Sequence, residues 1–381
     1  MILFVGAGSF DMCGVGILTF HCSDNYGAML QAYGLKEGLR KKGIKAEIIR
    51  YEPPFMTGRH WWIPYIPSGG ISGMLIQGGY RWRANLRLGK AFFEKRSRMR
   101  QFRKKYLTGE EKRKIYFCSQ LKKLDYADYI VGSDQIWNPD ITCGLRRAYF
   151  GDFKNKNKKR VVAYAASLGK EALPEKYDKT FSELLQHVDT ISVREKSAVS
   201  YVKRLCGRAV AVVPDPVFLL EKKEWQKIEK MPWKNHFIFV YMTENNETLV
   251  EFTKELAERK NLSIITDKNG TGLEGENVLK DHTAGPAEFL GYIHRADYVV
   301  TNSFHGTAFS IIYQKKFMVF PHSGAGGRIS DIIKLSGLGS RLYRENGCAD
   351  IDAEINWNKV KRRIRKSVEA AERFLAESIG R

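Results

Sequence analysis

The sequence lacks most signatures of nucleotide, metal and disulfide chemistry. Its six cysteines, Cys13, Cys22, Cys118, Cys143, Cys206 and Cys348, form no CxxC pair, and none stands at zinc-ligand spacing from a histidine. They read as reduced, mostly buried thiols of a cytosolic protein. There is no GxxxxGK[ST] loop, and Gly6-Ala7-Gly8 opens no helical pattern of the kind a dinucleotide fingerprint needs. Asp350-Ile351-Asp352 stands far from any strand-end turn and makes no case for a metal, so neither metal nor cofactor is expected. No apolar run approaches the roughly 18 residues that cross a bilayer. The apolar opening, Met1 to Gly14, has neither the basic leader nor the cleavage site of a signal peptide.

Acidic residues are also in short supply. Against 63 Lys and Arg stand 42 Asp and Glu, a net charge of +21, which draws polyanions, anionic membrane faces or anionic small substrates without choosing among them. The excess is uneven: from Arg81 to Lys123 there are sixteen basic and three acidic residues. Trp61, Trp62 and Tyr65 precede this stretch, and Tyr80, Trp82, Phe92 and Phe93 are threaded through it. Such a mixture suits a membrane interface, nucleic acid, or simply a solvated helical face.

Length and periodicity give the architecture. A chain of 381 residues is too long for one ordinary core. Short β-branched runs alternate with helical patterns from Val15 to Val213 and again from Phe237 to Leu335, the rhythm of doubly wound parallel sheets. Pro214-Asp215-Pro216 blocks both helix and strand pairing and marks the boundary. The expectation is an α/β protein of two Rossmann-like domains facing a cleft: residues 14–213, interrupted by a basic and aromatic insertion at about 52–123; residues 214–355; and a C-terminal helix in 356–381.

Ligands of such sheets bind beyond the carboxyl ends of the strands, so the turns there carry the candidates. In Thr301–Thr307 (TNSFHGT) a strand empties into Asn302, Ser303 and His305 before Gly306 and Thr307 open a helix, whose free N–H groups attract an anion. His305 there is a donor or general acid, or else a structural histidine beside a helix cap. Arg194, after Thr190–Val193, presents a fork for carboxylate or phosphate; the plainer alternative is a surface ion pair. Arg328 follows the glycine-rich Ser323–Gly327 and is a further anion clamp or an incidental arginine. In Val131–Pro139 (VGSDQIWNP), Ser133, Asp134 and Asn138 offer polar contacts and Trp137 a flat face for a sugar ring, unless the segment is only an Asx turn. Asp24, Asn25 and Tyr26 form the corresponding turn after the first strand, facing the cleft or merely capping a helix.

Six segments in order, GILTFHCSDNYGAMLQAYGL, VGSDQIWNP, YAASLG, SVREKSA, VPDPVFLL and TNSFHGTAFSIIYQKKF, resemble the polysaccharide pyruvyl transferase family from residue 14 to about 340. The resemblance implies a fold like the B-type glycosyltransferases with the last helix returning to the first domain. It also implies phosphoenolpyruvate as co-substrate and donor, and a glycan or polyprenyl-linked sugar as acceptor. Arg194 and His305, with Ser303, Gly306, Thr307 and Arg328, then fall on the donor side. Asp24, Asn25, Tyr26, Ser133, Trp137 and Asn138 fall on the acceptor side, and Asp134 is the expected base. Many members carry arginine where this chain has Ser303, and Arg328 is the expected substitute. Residues 1–13 precede the family's usual start. The implied location is cytoplasmic, peripheral to the membrane through the basic insertion. Two rival readings are a nucleotide-sugar glycosyltransferase of the same fold, which needs a base-and-ribose pocket, and a nucleic-acid-binding protein, which leaves the strand-end motifs unexplained.

Overall fold

The computed structural model describes residues 14–57, 86, 88–109, 113–153, 159–267, 270–322, 326–344 and 350–379. The leading segment 1–13 and residues 58–85, with Trp61, Trp62, Tyr65, Tyr80 and Trp82, lie outside them.

Two parallel sheets account for the strands. The first contains β1 (Val15–Leu18), β2 (Ala46–Ile48), β3 (Asp128–Val131), β4 (Val161–Ala166), β5 (Thr190–Val193) and β6 (Val210–Val212), in the order β2-β1-β3-β4-β5-β6. The second contains β7 (Phe237–Tyr241), β8 (Ser263–Thr266), β9 (Val278–Lys280), β10 (Tyr298–Thr301) and β11 (Lys316–Val319), in the order β11-β10-β7-β8-β9. Every pairing is parallel. Strands covered on both faces need no polar alternation, and Val15–Leu18, Asp128–Val131 and Val161–Ala166 are buried throughout. Each half is therefore the doubly wound unit expected from the sequence, a fold like the B-type glycosyltransferases. The short strand β9, partly exposed along its length, gave no apolar run to find.

Strand order locates the ligand crevices. In the first sheet the winding reverses between β1 and β3, and in the second between β7 and β10. Loops diverge at such switch points and leave a crevice at the carboxyl ends. There lie Phe20–Asp24 and Ser133–Asn138 in one half, and Thr243–Glu244 and Asn302–His305 in the other.

Helices join the halves. Helix α1 (Tyr26–Lys41) is capped by Asn25, whose side chain accepts from the Ala28 amide at 3.1 Å. Its buried face packs on the Pro216–Leu219 turn of the linker. Tyr33 lies 5.5 Å from Trp225, which meets Phe309 edge-on at 4.9 Å, so one apolar core runs from the first sheet to the second. Helix α2 (Lys90–Phe102), from the insertion, continues into a wider turn, Arg103–Thr108, beside α1. The long C-terminal helix (Trp357–Ser378) comes back to α1, where Glu372 pairs with Lys42 at 2.7 Å.

Candidate active site

Arg194 leaves the end of β5 and is buried. A buried guanidinium needs partners, and the fold supplies three carboxylates. Arg194 Nη1 donates to Asp215 Oδ2 at 2.7 Å, Nε to Glu195 Oε1 at 3.2 Å, and Nη2 stands 3.8 Å from Asp134 Oδ1. Its plane lies over the Phe304 ring at 4.9 Å. Burial alone would lower its pKa; Glu195, Asp215 and Asp134 outweigh that and raise it above the ordinary arginine value. Nη2 is buried with no hydrogen-bond partner, as is Glu195 Oε2.

His305 comes from the opposite half. Helix α7 (Phe304–Tyr313) begins two residues before the expected Gly306, with Ser303 as its N-cap, so His305 sits inside the first turn. The amides of Phe304 and His305 there have no intrahelical acceptor by geometry. The imidazole packs against Gly27 in the first turn of α1, so closely that a Cβ at Gly27 would overlap Nδ1. Nε2 is buried without a hydrogen bond, 3.7 Å from Asp215 Oδ2. Burial lowers the His305 pKa below its ordinary value; Asp215 and Asp134 oppose this, while Arg194 and Arg328 add to it. The resting ring is neutral at neutral pH.

Arg328, in the first turn of helix α8 (Gly326–Ser336), completes the cluster. Burial and the nearby Arg194 charge lower its pKa to about 10. The Gln135 amide lies between Asn138 and this guanidinium; turned so that its oxygen faces Arg328, it accepts from Nη1 and Nη2 at 3.3 Å each. Arg328 Nε is buried and unpaired. Asp134 adopts φ 68°, in the left-handed region that Asp enters more readily than most residues, and its Oδ1 accepts from the Gln135 backbone N–H at 2.8 Å.

Arg194, His305, Arg328 and Asp134 are thus brought together between the two halves. The other expected residues have different positions. Ser303 Oγ accepts from Gly306 N at 3.4 Å, and Thr307 Oγ1 donates to the Ser303 carbonyl at 2.9 Å. These residues hold the start of α7 in place, and Gly306 leaves room for the Thr301 hydroxyl against it. Ser133 is fully buried and donates to the Ala165 carbonyl. Asn138 caps the short helix Pro139–Thr142. Trp137 corrects the expectation of a sugar platform: it is fully buried, its indole N–H donates to the Tyr149 carbonyl at 3.0 Å, and its face stacks on Phe150 at 5.3 Å. Tyr26 is likewise packed between the halves, stacked on Phe289 and donating to the Ala284 carbonyl at 3.1 Å. Asp24 lies to one side, paired with Arg103 at 3.1 Å.

Sequence reasoning missed Asp215, Glu195, Gln135 and Gly27. Asp215 had a signal. In Pro214-Asp215-Pro216 both neighbours lack an N–H, which leaves the carboxylate to its own turn, where Oδ1 accepts from the Val217 amide at 3.1 Å, and to Arg194.

Chemically, three carboxylates face two guanidiniums and a neutral imidazole. The groups open to an anion are Arg194 Nη2, Arg328, the first amides of α7 and, once protonated, His305. That set matches a small substrate bearing a carboxylate and a phosphate.

A profile of the family described as polysaccharide pyruvyl transferase matches residues 25–324. Among curated proteins no sequence matches the chain. Among solved structures, UDP-N-acetylglucosamine 2-epimerase from Rickettsia bellii is 10% identical, with 97% of each chain covered and a TM-score of 0.52, a likeness of fold. The glycosyltransferase SnogD from Streptomyces nogalater, 13% identical over 97% of this chain and all of that one, gives 0.43. By its profile match over most of its length, with the paired parallel sheets around it, the chain belongs to the polysaccharide pyruvyl transferase family, enzymes that transfer a pyruvyl group from phosphoenolpyruvate to a glycan.

Proposed function

We propose that the cluster between β5, β10 and α8 binds phosphoenolpyruvate and that His305 protonates it. One observation carries this reading: His305 Nε2, Arg194 Nη2 and Arg328 Nε are all buried and all lack a hydrogen-bond partner. Buried orphans of this kind are costly unless a ligand satisfies them. Arg328 and the α7 amides take phosphate, and Arg194 Nη2 takes the carboxylate.

The reaction balances as addition and elimination. His305 delivers a proton to the methylene carbon, which becomes methyl, and C2 becomes oxocarbenium-like. A sugar hydroxyl adds to C2, phosphate leaves with its bridging oxygen, and a second hydroxyl closes the ketal. Of the two hydroxyl protons released, one replaces that given to carbon and the other goes with phosphate. Donor binding itself prepares the acid, since its negative charge raises the His305 pKa from its depressed resting value. Asp215 is a positioning residue, holding Arg194 and facing His305. Asp134 is the base that receives the attacking hydroxyl's proton.

The acceptor is a glycan or a polyprenyl-linked sugar, the latter met at the inner face of the cell membrane. Among the described residues no helix is long and apolar enough to cross a membrane, so attachment through the insertion is peripheral. Exposed Phe93 and Leu86 beside exposed Lys90 support that side as the contact. The direct test is incubation with phosphoenolpyruvate and a panel of glycan acceptors. Phosphate release with a matching pyruvyl mass gain is the expected result; release of neither with any acceptor defeats the reading. Family membership displaces both rivals, and the nucleotide-sugar transferase keeps only the shared fold.

A further inference from the structure

A second charged site lies on the other side of the β1–α1 turn. The carboxyl ends of β1 and β2, α2 and the wide turn after α2 enclose a cavity of about 600 Å³. Six cations line it: Arg50, Arg96, Arg100, Arg103, Lys104 and Lys114. Among the described residues its acidic lining is Asp24 and Glu52. These two are already engaged: Asp24 with Arg103 at 3.1 Å, and Glu52 with Arg50 at 2.8 Å and Lys114 at 3.2 Å. Among the described residues, Arg96 and Arg100 line the cavity without an ion-pair partner and are its surplus.

The surplus is concentrated on one helix face. Arg96, Arg100 and Arg103 are spaced four and three residues apart, so they stack on one side of α2 and its continuation, an arrangement that like charges destabilise. Arg96 is partly buried; burial, and then Arg100 and Arg103, lower its pKa, with Asp24 opposing. Such a stripe along a walled cavity calls for a polyanion larger than one phosphate.

Its position relates it to the donor cluster. Asp24 lines the cavity, and Gly27, three residues on, touches His305. Three residues span at most about 11 Å. A group held in the cavity therefore presents whatever it carries to His305 across a single turn.

We propose that this cavity binds the diphosphate ester of the acceptor substrate and so places the attached sugar against the donor cluster, an inference that rests on the transfer reading above. The diphosphate belongs either to a lipid carrier or to a nucleotide, and its recognition chemistry is the same in both.

The test begins with inorganic pyrophosphate, by calorimetry at physiological ionic strength. One pyrophosphate per chain is expected, at least tenfold tighter than sulfate. Arg96→Gln should weaken it about tenfold, and Arg96→Gln with Arg100→Gln about a hundredfold, while Arg194→Lys leaves it unchanged. Circular dichroism confirms the fold of each variant. Competition separates the sources: geranyl diphosphate matching pyrophosphate marks a lipid carrier, and UDP surpassing it marks a nucleotide. No binding at this salt, equal affinity in the double variant, or loss in Arg194→Lys overturns the assignment. Pyrophosphate binding with no pyruvyl transfer to any acceptor would sink the transfer reading alone, and transfer without such binding would sink the cavity alone.

Discussion

Two turns meet at the cleft, and they manage charge in opposite ways. After β10, the cluster around Arg194 and His305 is buried and closely balanced, each guanidinium matched by a carboxylate or an amide. After β1, the cavity under α2 is lined, among the described residues, by Arg96 and Arg100 with no ion-pair partner. Preorganised dipoles in a water-poor site act strongly on a charge that develops during reaction. A surplus of exposed cations instead raises local anion concentration and affinity, and salt screens it. The first arrangement suits chemistry and the second suits capture.

The sharpest break of that contrast is at His305. His305→Ala and His305→Gln should both fold, yet lose roughly 10²- to 10⁴-fold in turnover, the usual worth of a general acid. Phosphate release from phosphoenolpyruvate in the presence of acceptor measures it. Retention by Gln but not Ala would mean hydrogen bonding and not proton transfer. Gly27→Ala should approach the same loss from the other side of the cleft, because the new Cβ overlaps Nδ1 and displaces the ring. An active Gly27→Ala enzyme would show that the ring position is not critical.

Next comes the clamp. Arg194→Lys replaces a fork with a point charge and leaves Glu195 or Asp215 short of a partner. Activity should fall by about a hundredfold or more, with phosphoenolpyruvate affinity falling too. Arg194→Ala, leaving buried carboxylates unpaired, should also cost about 3–5 kcal/mol of stability, read by denaturant unfolding. The crossed control sharpens the comparison: Arg96→Gln with Arg100→Gln should leave phosphoenolpyruvate affinity near that of the parent. A loss there would place the donor in the basic cavity.

The two sites also differ in how far sequence revealed them. Strand-end logic found Arg194, His305, Asp134 and Arg328, because a polar residue just past a β-branched run must sit at the sheet's carboxyl edge. It could not rank Trp137 or Tyr26. An aromatic residue in such a turn points either outward to a ligand or back into the core, and local pattern is the same for both. Here tertiary packing against Phe150 and Phe289 decided. The cavity was visible only as a run of charge. That Arg103 pairs with Asp24, and that Arg50, just after β2, joins the same wall, depends on contacts between segments about 50 to 80 residues apart.

A smaller effect concerns protons. The His305 pKa lies below its ordinary value, chiefly through burial. A group whose folded pKa is depressed binds fewer protons folded than unfolded, so stability falls as pH drops below the ordinary histidine value near 6.5. His305→Gln should flatten that part of the stability profile. Phosphoenolpyruvate binding should take up a proton, seen as a buffer-dependent binding enthalpy near neutral pH. Asp215→Asn removes a carboxylate that raises the His305 pKa, so the loss of turnover at high pH should begin at lower pH. An unmoved profile would remove Asp215 from the positioning role.

The smallest effect is at the membrane, where the structure redirects the expectation. The densest basic run of the insertion, with Arg96, Arg98, Arg100 and Arg103, is where lipid contact is expected. Yet Arg98 is paired with Glu94 and with Glu288, Arg103 with Asp24, and Arg96 and Arg100 line the cavity. At its outer end α2 carries Phe93, 57% exposed, with Leu86 at 46% and exposed Lys90 earlier in the chain. Apolar side chains beside a cation suit the headgroup boundary, where each nearby Lys or Arg is worth about 1 kcal/mol on an anionic surface. Co-sedimentation with liposomes should therefore require anionic lipid and weaken with salt. Phe93→Ser with Lys90→Gln should reduce binding a few-fold, without changing pyrophosphate affinity in the cavity. Equal binding to neutral liposomes, or a double variant that binds as the parent does, would detach this helix end from the membrane and leave the basic insertion to the acceptor's diphosphate alone.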